Sequence, residues 1–452
     1  MFQRRFNLAC SMVLVLSMLL GACAPAVTPA PAATQPSAAQ PAATEPPAQQ
    51  PAATEAPAQP PAAAEVTLTV WDYYGEATPI KPLIEPFEKE NPGIKIKYEA
   101  IDWDTMLEKM NVILTGGEPP DVATADMTWL PKYASLDAFA DLKQLSGGKV
   151  NDTTWEQLYA PGALEAISFK DKYVAALYDF DVYALYYRAD LFEQKGIQVP
   201  KTWDELAAAA KKLAEGDKYL YEFDADTFHG SQWIFENGGT LMNADNTKCA
   251  FNSPEAVKAI STYSDLLLKD KVAIDWTVDQ GERIQGVKDG RIGMFSDGPY
   301  YMGILKSAAP EMEGKWKVAL HPTGNVPGSY LGGTGLVVPS GSKNKEAAWK
   351  FIQFALRTEN MIGLYKASGA APATTPALQS PEVAQAEAYF GGQKPLAAFL
   401  ETLKTAHHFP YVRQWSDIDE LFTTAMQEIA LGQKPVQEAL DGAASQCEEK
   451  LK

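Results

Sequence analysis

Acidic and aromatic side chains recur together in this chain wherever apolar alternation gives way to polar residues. Tyr73, Tyr74 and Glu76 close the stretch VTLTVWDYYGE, residues 66–76. Asp126 and Trp129 come at and just after the end of DVATAD, and Asp179 and Asp181 follow the apolar YVAALY, with Tyr183 beyond them. Trp233 and Glu236 lie in SQWIFENGG, Asp297 and Tyr300 in FSDGPYY, and His407 opens HHFPYVRQW. A carboxylate can accept from two neighbouring hydroxyls at once, and charge-assisted bonds of this kind are among the stronger ones in a dry cleft. A flat ring packs against a C–H face. Paired acids and rings without a compensating basic cluster therefore suit a neutral polyol such as a sugar better than a phosphate or a carboxylate.

The elements that must hold these residues are strands and helices in alternation. VTLTV and IKIKYEA (94–100) alternate at period two and predict strands, and Ile80, Leu83, Ile84 and Phe87 keep helical spacing between them. Pro82 fits a first turn, whereas Pro86 predicts a kink or a late start. Asp104 to Leu114 predicts a second helix and DVATAD a third strand. TWDE (202–205) predicts a capped helix through Leu213, and Ser253 with Pro254 another through Leu268. YLGGTGLVVPS (330–340) reads as one buried strand leading to a helix that carries Ala347, Ala348, Phe351 and Ile352. The expected class is α/β with open sheets, in which ligands bind beyond the carboxyl ends of strands.

The chain has 452 residues with a formal charge of −18. A phosphate backbone or an anionic membrane surface would be repelled, so no nucleic acid is expected as a partner. Residues 1–23 read as an export leader: Arg4 and Arg5, an apolar run, then LGAC, which resembles the bacterial lipobox and makes Cys23 the lipid attachment. Residues 24–64 repeat PAAT, PAQ and PAA units and predict a disordered tether, reaching on the order of 100 Å when extended. Folded sequence starts near Glu65. Cys10 leaves with the leader, so Cys249 and Cys447 remain, and their spacing leaves a disulfide open. With no CxxC or HExxH spacing, neither a metal site nor a cofactor is expected.

Seven segments in order carry a resemblance over almost all of 65–452: FEKENPGIKIKYEAIDWD, GGEPPDVATAD, ALYYRADLFEQKGIQVPKTWDEL, FNSPEAVKAI, KDGRIGMFSDGPYY, LGGTGLVVPSGSKNKEAAWKFIQFAL and ALGQKPVQEAL. The chain is similar to the extracellular solute-binding proteins of sugar ABC importers, the family of maltose-, trehalose- and multiple-sugar-binding members. The resemblance implies a type II, maltose-binding-protein-like, two-lobed periplasmic-binding-protein fold with a hinge and an interlobe cleft. It places one lobe at 65–177 and 337–373 and the other at 178–336 and 374–452. It also implies sugar contacts from Glu76, Asp126, Trp129, Asp179, Asp181, Tyr300, Gly333, Thr334 and the neighbourhood of His407 to Phe409; the pairing of acids with aromatics adds Tyr74 and Trp233 as expected ligand contacts, and no catalytic residue is expected. Two positions depart from the family pattern: Thr334 stands where many sugar binders carry an aromatic residue, and Gly298 where some carry tryptophan. The implied role is an extracytoplasmic, lipid-anchored protein that captures a sugar and hands it to ABC transporter permease subunits. Within the same fold a polyamine, iron, a peptide or glycerol phosphate is an alternative ligand. A secreted glycoside hydrolase is the rival outside it, and requires two carboxyls about 5 to 10 Å apart astride one bond.

Overall fold

The computed structural model describes residues 65–74, 79–114, 117–275 and 280–452. The leader, Cys23 and the tether expected over 1–64, and Glu76, lie outside the described residues. Among the described residues no helix is long and apolar enough to cross a membrane.

The strands that build the site are, in chain order, β1 (Val66–Asp72), β2 (Ile94–Ala100), β3 (Val122–Asp126), β4 (Ala176–Leu177), β5 (Ala184–Arg188), β6 (Leu220–Phe223), β7 (Ala273–Asp275), β8 (Ile292–Asp297), β9 (Trp316–Ala319), β10 (Ser329–Leu331), β11 (Thr334–Val337) and β12 (Ala406–His408). They form two five-stranded sheets, ordered β2-β1-β3-β11-β4 and β7-β6-β8-β5-β9, and a separate parallel pair β10-β12. In the first sheet β1 runs parallel to β2 and β3, and β11 runs antiparallel to β3 and β4. In the second, β6 is parallel to β7 and β8, while β5 is antiparallel to β8 and β9.

Apolar patterning accounts for the layers. Leu68 and Val70 of β1 are fully buried, and Val122 to Ala125 of β3 are buried with them, as in a sheet covered on both faces. Phe87, from the first of these helices, meets Phe351 and Phe354 of the helix Lys345–Ala355 edge to face. That first helix starts late, as Pro86 predicts: a 3-10 turn at Lys81–Leu83 precedes Ile84–Glu90, and Pro86 sits in the first turn, where its missing N–H costs nothing. The Ser253 hydroxyl accepts from Ala256 N and opens the helix Pro254–Leu268, matching the expected bounds. Thr202 accepts from Glu205 N, and the Glu205 carboxylate reaches back to Lys201 N at 2.7 Å. At the far end of the chain, Cys447 of the helix Val436–Lys450 forms a disulfide with Cys249, and both are buried. The bond pins the C-terminal helix to the second layer, in which Phe251 also packs on Phe422.

YLGGTGLVVPS is two strands rather than the expected one. Gly333 has φ +145°, and a Cβ there would stand 2.5 Å from the Asp179 carbonyl oxygen, so the chain bends at a residue that must lack a side chain. β10 ends before this bend and β11 enters the first sheet after it. The crossing from β10 into the first sheet thus falls at Gly332 and Gly333.

Beside this crossing run two more segments. Tyr178 N donates to Thr334 O, Asp181 and Gly332 exchange both backbone bonds, and Phe180 N donates to Ala371 O while Ala373 N donates to Tyr178 O. Residues 178–183 are themselves a passage between sheets, from β4 to β5. The hinge is therefore a small laminate of extended chain, held by its own backbone hydrogen bonds.

Candidate functional site

A cavity of about 800 Å³ opens against the hinge. Its first wall comes from the carboxyl ends of β1 and β3 and from the start of β11, where open sheets place ligands. Tyr73 and Tyr74 leave β1 as a stacked pair, with centroids 4.8 Å apart at 20°. Tyr73 also meets Trp103 edge-on, and Trp129 packs behind both at 5.3 and 4.6 Å. Trp103 is 37 % exposed and lines the cavity, which makes it a free apolar face. Thr334 pairs in register with Asp126. The Tyr73 hydroxyl lies 2.5 Å from Thr334 Oγ1, Tyr74 donates to Asp179 Oδ2 at 2.8 Å, and Thr334 N donates to Asp179 Oδ1. Asp126 Oδ1 accepts from Thr128 N and Oγ1, and Asp126 Oδ2 takes no part in either bond.

The opposite wall is built by the hinge and the second sheet. Asp181 accepts from Tyr330 at 2.6 Å, and Tyr330 packs on Tyr183 and Phe228. A Cβ at Gly298 would lie 1.7 Å from Asp181 Oδ1, so the carboxylate occupies the space that a larger residue at 298 would need. At the base, Arg283 is clamped by three acids: Nε donates to Glu222 at 2.6 Å, Nη2 to Asp224 at 2.8 Å, and Nη1 to Asp297. His229 stands next to it, between Asp226 (2.9 Å from Nδ1) and Asp224 (3.2 Å from Nε2).

Burial dominates the electrostatics. It pushes the Asp126 carboxyl up to about 6 and Asp179 to about 7, and raises Asp181 well above the usual range. Burial also raises the phenols of Tyr73, Tyr74, Tyr300 and Tyr330 well above their ordinary value, so all four are neutral donors. For His229 burial acts downward, but the Asp226 and Asp224 carboxylates outweigh it and raise the imidazole to about 10; it is cationic at neutral pH.

The Asp179 value has a consequence with a definite sign. Its folded value of about 7 exceeds the ordinary 3.8, so its contribution to stability is full below the ordinary value and is lost as pH rises through about 7. Ligand-free Asp179→Asn is expected to lose less melting temperature than the parent between pH 5 and pH 8, followed calorimetrically. Equal slopes for the two proteins would show that Asp179 does not titrate in this window.

Of the residues singled out from sequence, Tyr74, Asp126, Asp179, Asp181, Tyr300, Gly333 and Thr334 line the cavity together. Trp129 lies one layer behind it. Trp233 is 1 % exposed and stacked on Tyr263 within the second layer, where it also meets Trp203, and His407 is exposed on β12 with its ring against Phe235. Trp103, Tyr330, Asp226, His229 and Arg283 line the cavity without having been selected. Trp103 and Tyr330 were visible at the ends of IKIKYEAIDWD and at the start of YLGGTG. Arg283 has no local signal, because its partners Glu222 and Asp224 are far away in sequence.

This architecture is shared. The family model for bacterial extracellular solute-binding proteins matches residues 71–362. A diacetylchitobiose-binding protein, DasA of Streptomyces coelicolor, is 28 % identical over 365 residues, covering 78 % of this chain and 82 % of its own. A maltooligosaccharide ABC transporter solute-binding lipoprotein of Streptococcus pneumoniae is 24 % identical, covering 85 % and 89 %. Among solved structures, an ABC transporter solute-binding protein of Thermotoga lettingae bound with α-D-tagatose superposes with a TM-score of 0.76 at 27 % identity, covering 86 % of this chain and all of that one. With a two-lobed α/β fold, a cleft at the hinge and a family match over more than half its length, this chain belongs to the bacterial extracellular solute-binding proteins.

Proposed function

We propose that this protein captures a carbohydrate between its lobes and delivers it, chemically unchanged, to the permease of an ABC importer, while an acyl chain on Cys23 holds it at the outer face of the cell membrane. The observation that carries the reading is the cavity itself: acids and aromatic faces stand on both of its walls, and the hinge joins those walls. A cleft of about 800 Å³ is within the size range of small-molecule sites. Asp126 and Asp179 supply acceptors for ring hydroxyls, the neutral tyrosines supply donors, and Trp103 with the Tyr73–Tyr74 pair supplies faces for C–H surfaces. Closure is favoured by ligand because only the closed state lets both walls contact it. The names of the relatives, which specify diacetylchitobiose, maltooligosaccharide and tagatose, support the same class.

The test is a thermal-shift screen of the full chain, unfolded and refolded to strip carried-over ligand, against sugars, polyols, polyamines, peptides and ferric iron. A ligand present at a hundred times its Kd adds roughly 2.7 kcal/mol and a shift of a few degrees. The expected result is a shift with one or more sugars. A shift confined to a polyamine or to iron would remove the carbohydrate reading and leave the family standing.

A further inference from the structure

The charges around the cavity do not balance, and the imbalance has a direction. Among the described lining residues the cations are Arg283 and His229, with no lysine. Both are already engaged: Arg283 by Glu222, Asp224 and Asp297, and His229 by Asp224 and Asp226. Four acids thus surround two cations before the remaining cavity acids are reached. Asp126, Asp179 and Asp181 have no cationic partner among the described residues. Asp179 receives neutral donors from Tyr74 and Thr334. Asp126 is 8 % exposed and both of its bonds fall on Oδ1, leaving Oδ2 without a donor among the described residues. Asp181 also lines the cavity; its Oδ2 accepts from Tyr330, and its buried Oδ1, beside Gly298, has no hydrogen-bond partner among the described residues. Acidic groups without a cationic partner among the described residues therefore stand on both walls of the same cavity, an arrangement that favours a ligand supplying both hydrogen and positive charge.

A sugar hydroxyl supplies the hydrogen but not the charge. A primary ammonium supplies three N–H donors and a full positive charge, and the tyrosine faces that line the same space attract a cation. We propose that the carbohydrate captured here is an amino sugar whose amine is free, the ammonium being recognised by Asp126 and Asp181. This rests on the carbohydrate reading above and narrows it.

The test uses isosteric triplets that differ only at one ring carbon: glucosamine, glucose and N-acetylglucosamine, and the corresponding β-1,4-linked disaccharides, with spermidine as the cation that is not a sugar. Each is titrated calorimetrically into the refolded full chain near neutral pH. The amine member of a triplet is expected to bind at least about tenfold tighter than its hydroxyl and acetamide counterparts. Asp126→Asn and Asp181→Asn, each nearly isosteric, are expected to bring the amine-to-hydroxyl ratio toward one. Hydroxyl or acetylated members that bind as tightly as the amines would overturn the proposal and leave the carbohydrate reading intact. Binding of spermidine with every sugar silent would overturn both. No binding by any amine sugar, or an amine preference untouched in both variants, would also overturn it.

Discussion

Replacing Cys249 and Cys447 by serine is expected to lower stability by about 5 kcal/mol. The two half-cystines are 198 residues apart, so the bond closes a very long loop in the unfolded chain and removes much of its conformational freedom. The loss is also local. Cys447 anchors the helix Val436–Lys450, whose apolar face of Ala439, Leu440, Ala443 and Ala444 offers only small areas to hold it in place, apart from the leucine. The measurement is urea unfolding of the double variant beside the oxidised parent. A lower midpoint with a steeper dependence on urea is expected, because the uncrosslinked chain expands further when unfolded. A loss below about 1 kcal/mol would mean that packing of the C-terminal helix, rather than the covalent loop, carries the stability.

Arg283→Met is the second large effect. The guanidinium is buried against three acids, and removing it strands Glu222 and Asp297 without a counter-charge and leaves Asp224 with His229 alone; breaking a buried ionic group from one side costs about 3 to 5 kcal/mol. The pH dependence identifies the cause. Burial already raises Glu222 to about 8 from the ordinary 4.5, so its contribution to stability is full in acid and is lost as pH rises through about 8. Without Arg283 the Glu222 and Asp224 carboxyls rise further, and the gap between variant and parent should widen with pH and narrow in acid. Melting curves at pH 5 and pH 8 decide the matter. An equal loss at both would mean that only packing was removed.

The residues that could be read from sequence are those whose meaning is local. Ser253 and Pro254 mark a helix start by their own chemistry, and Asp126 and Asp179 come at or just past the ends of short apolar strands, where alternation stops. Their placement in the cleft follows from strand direction alone. Trp129 and Trp233 failed as direct lining residues because an aromatic side chain near a strand end or in a helix carries no mark of which side it faces. Both were drawn into ring clusters behind the surface, Trp129 with Tyr73 and Trp103, Trp233 with Tyr263 and Trp203. His407 sits on a strand whose alternation turns it outward. Arg283 was invisible because its helix, Gln280–Asp289, is polar by composition, and its role exists only once Glu222 and Asp224 arrive from another strand. Gly333 was the reverse case: GGTG was noticed as part of a strand, but the carbonyl of Asp179 that forbids a side chain there belongs to a segment more than 150 residues earlier.

The position of β11 bears on how the chain is made. β11 lies between β3 and β4, so the first sheet stays split until residue 337 has been synthesised, although four of its five strands are complete by residue 177. Nothing local can substitute for that late strand, and pairing over such a separation is slow. A ribosome delivering this chain thus emits a long stretch of β-forming polypeptide that has no finished sheet to join. For a protein that works outside the cell, delayed closure keeps the polypeptide threadable through a secretion channel. It also leaves the flank of β3 an unpaired edge until β11 arrives.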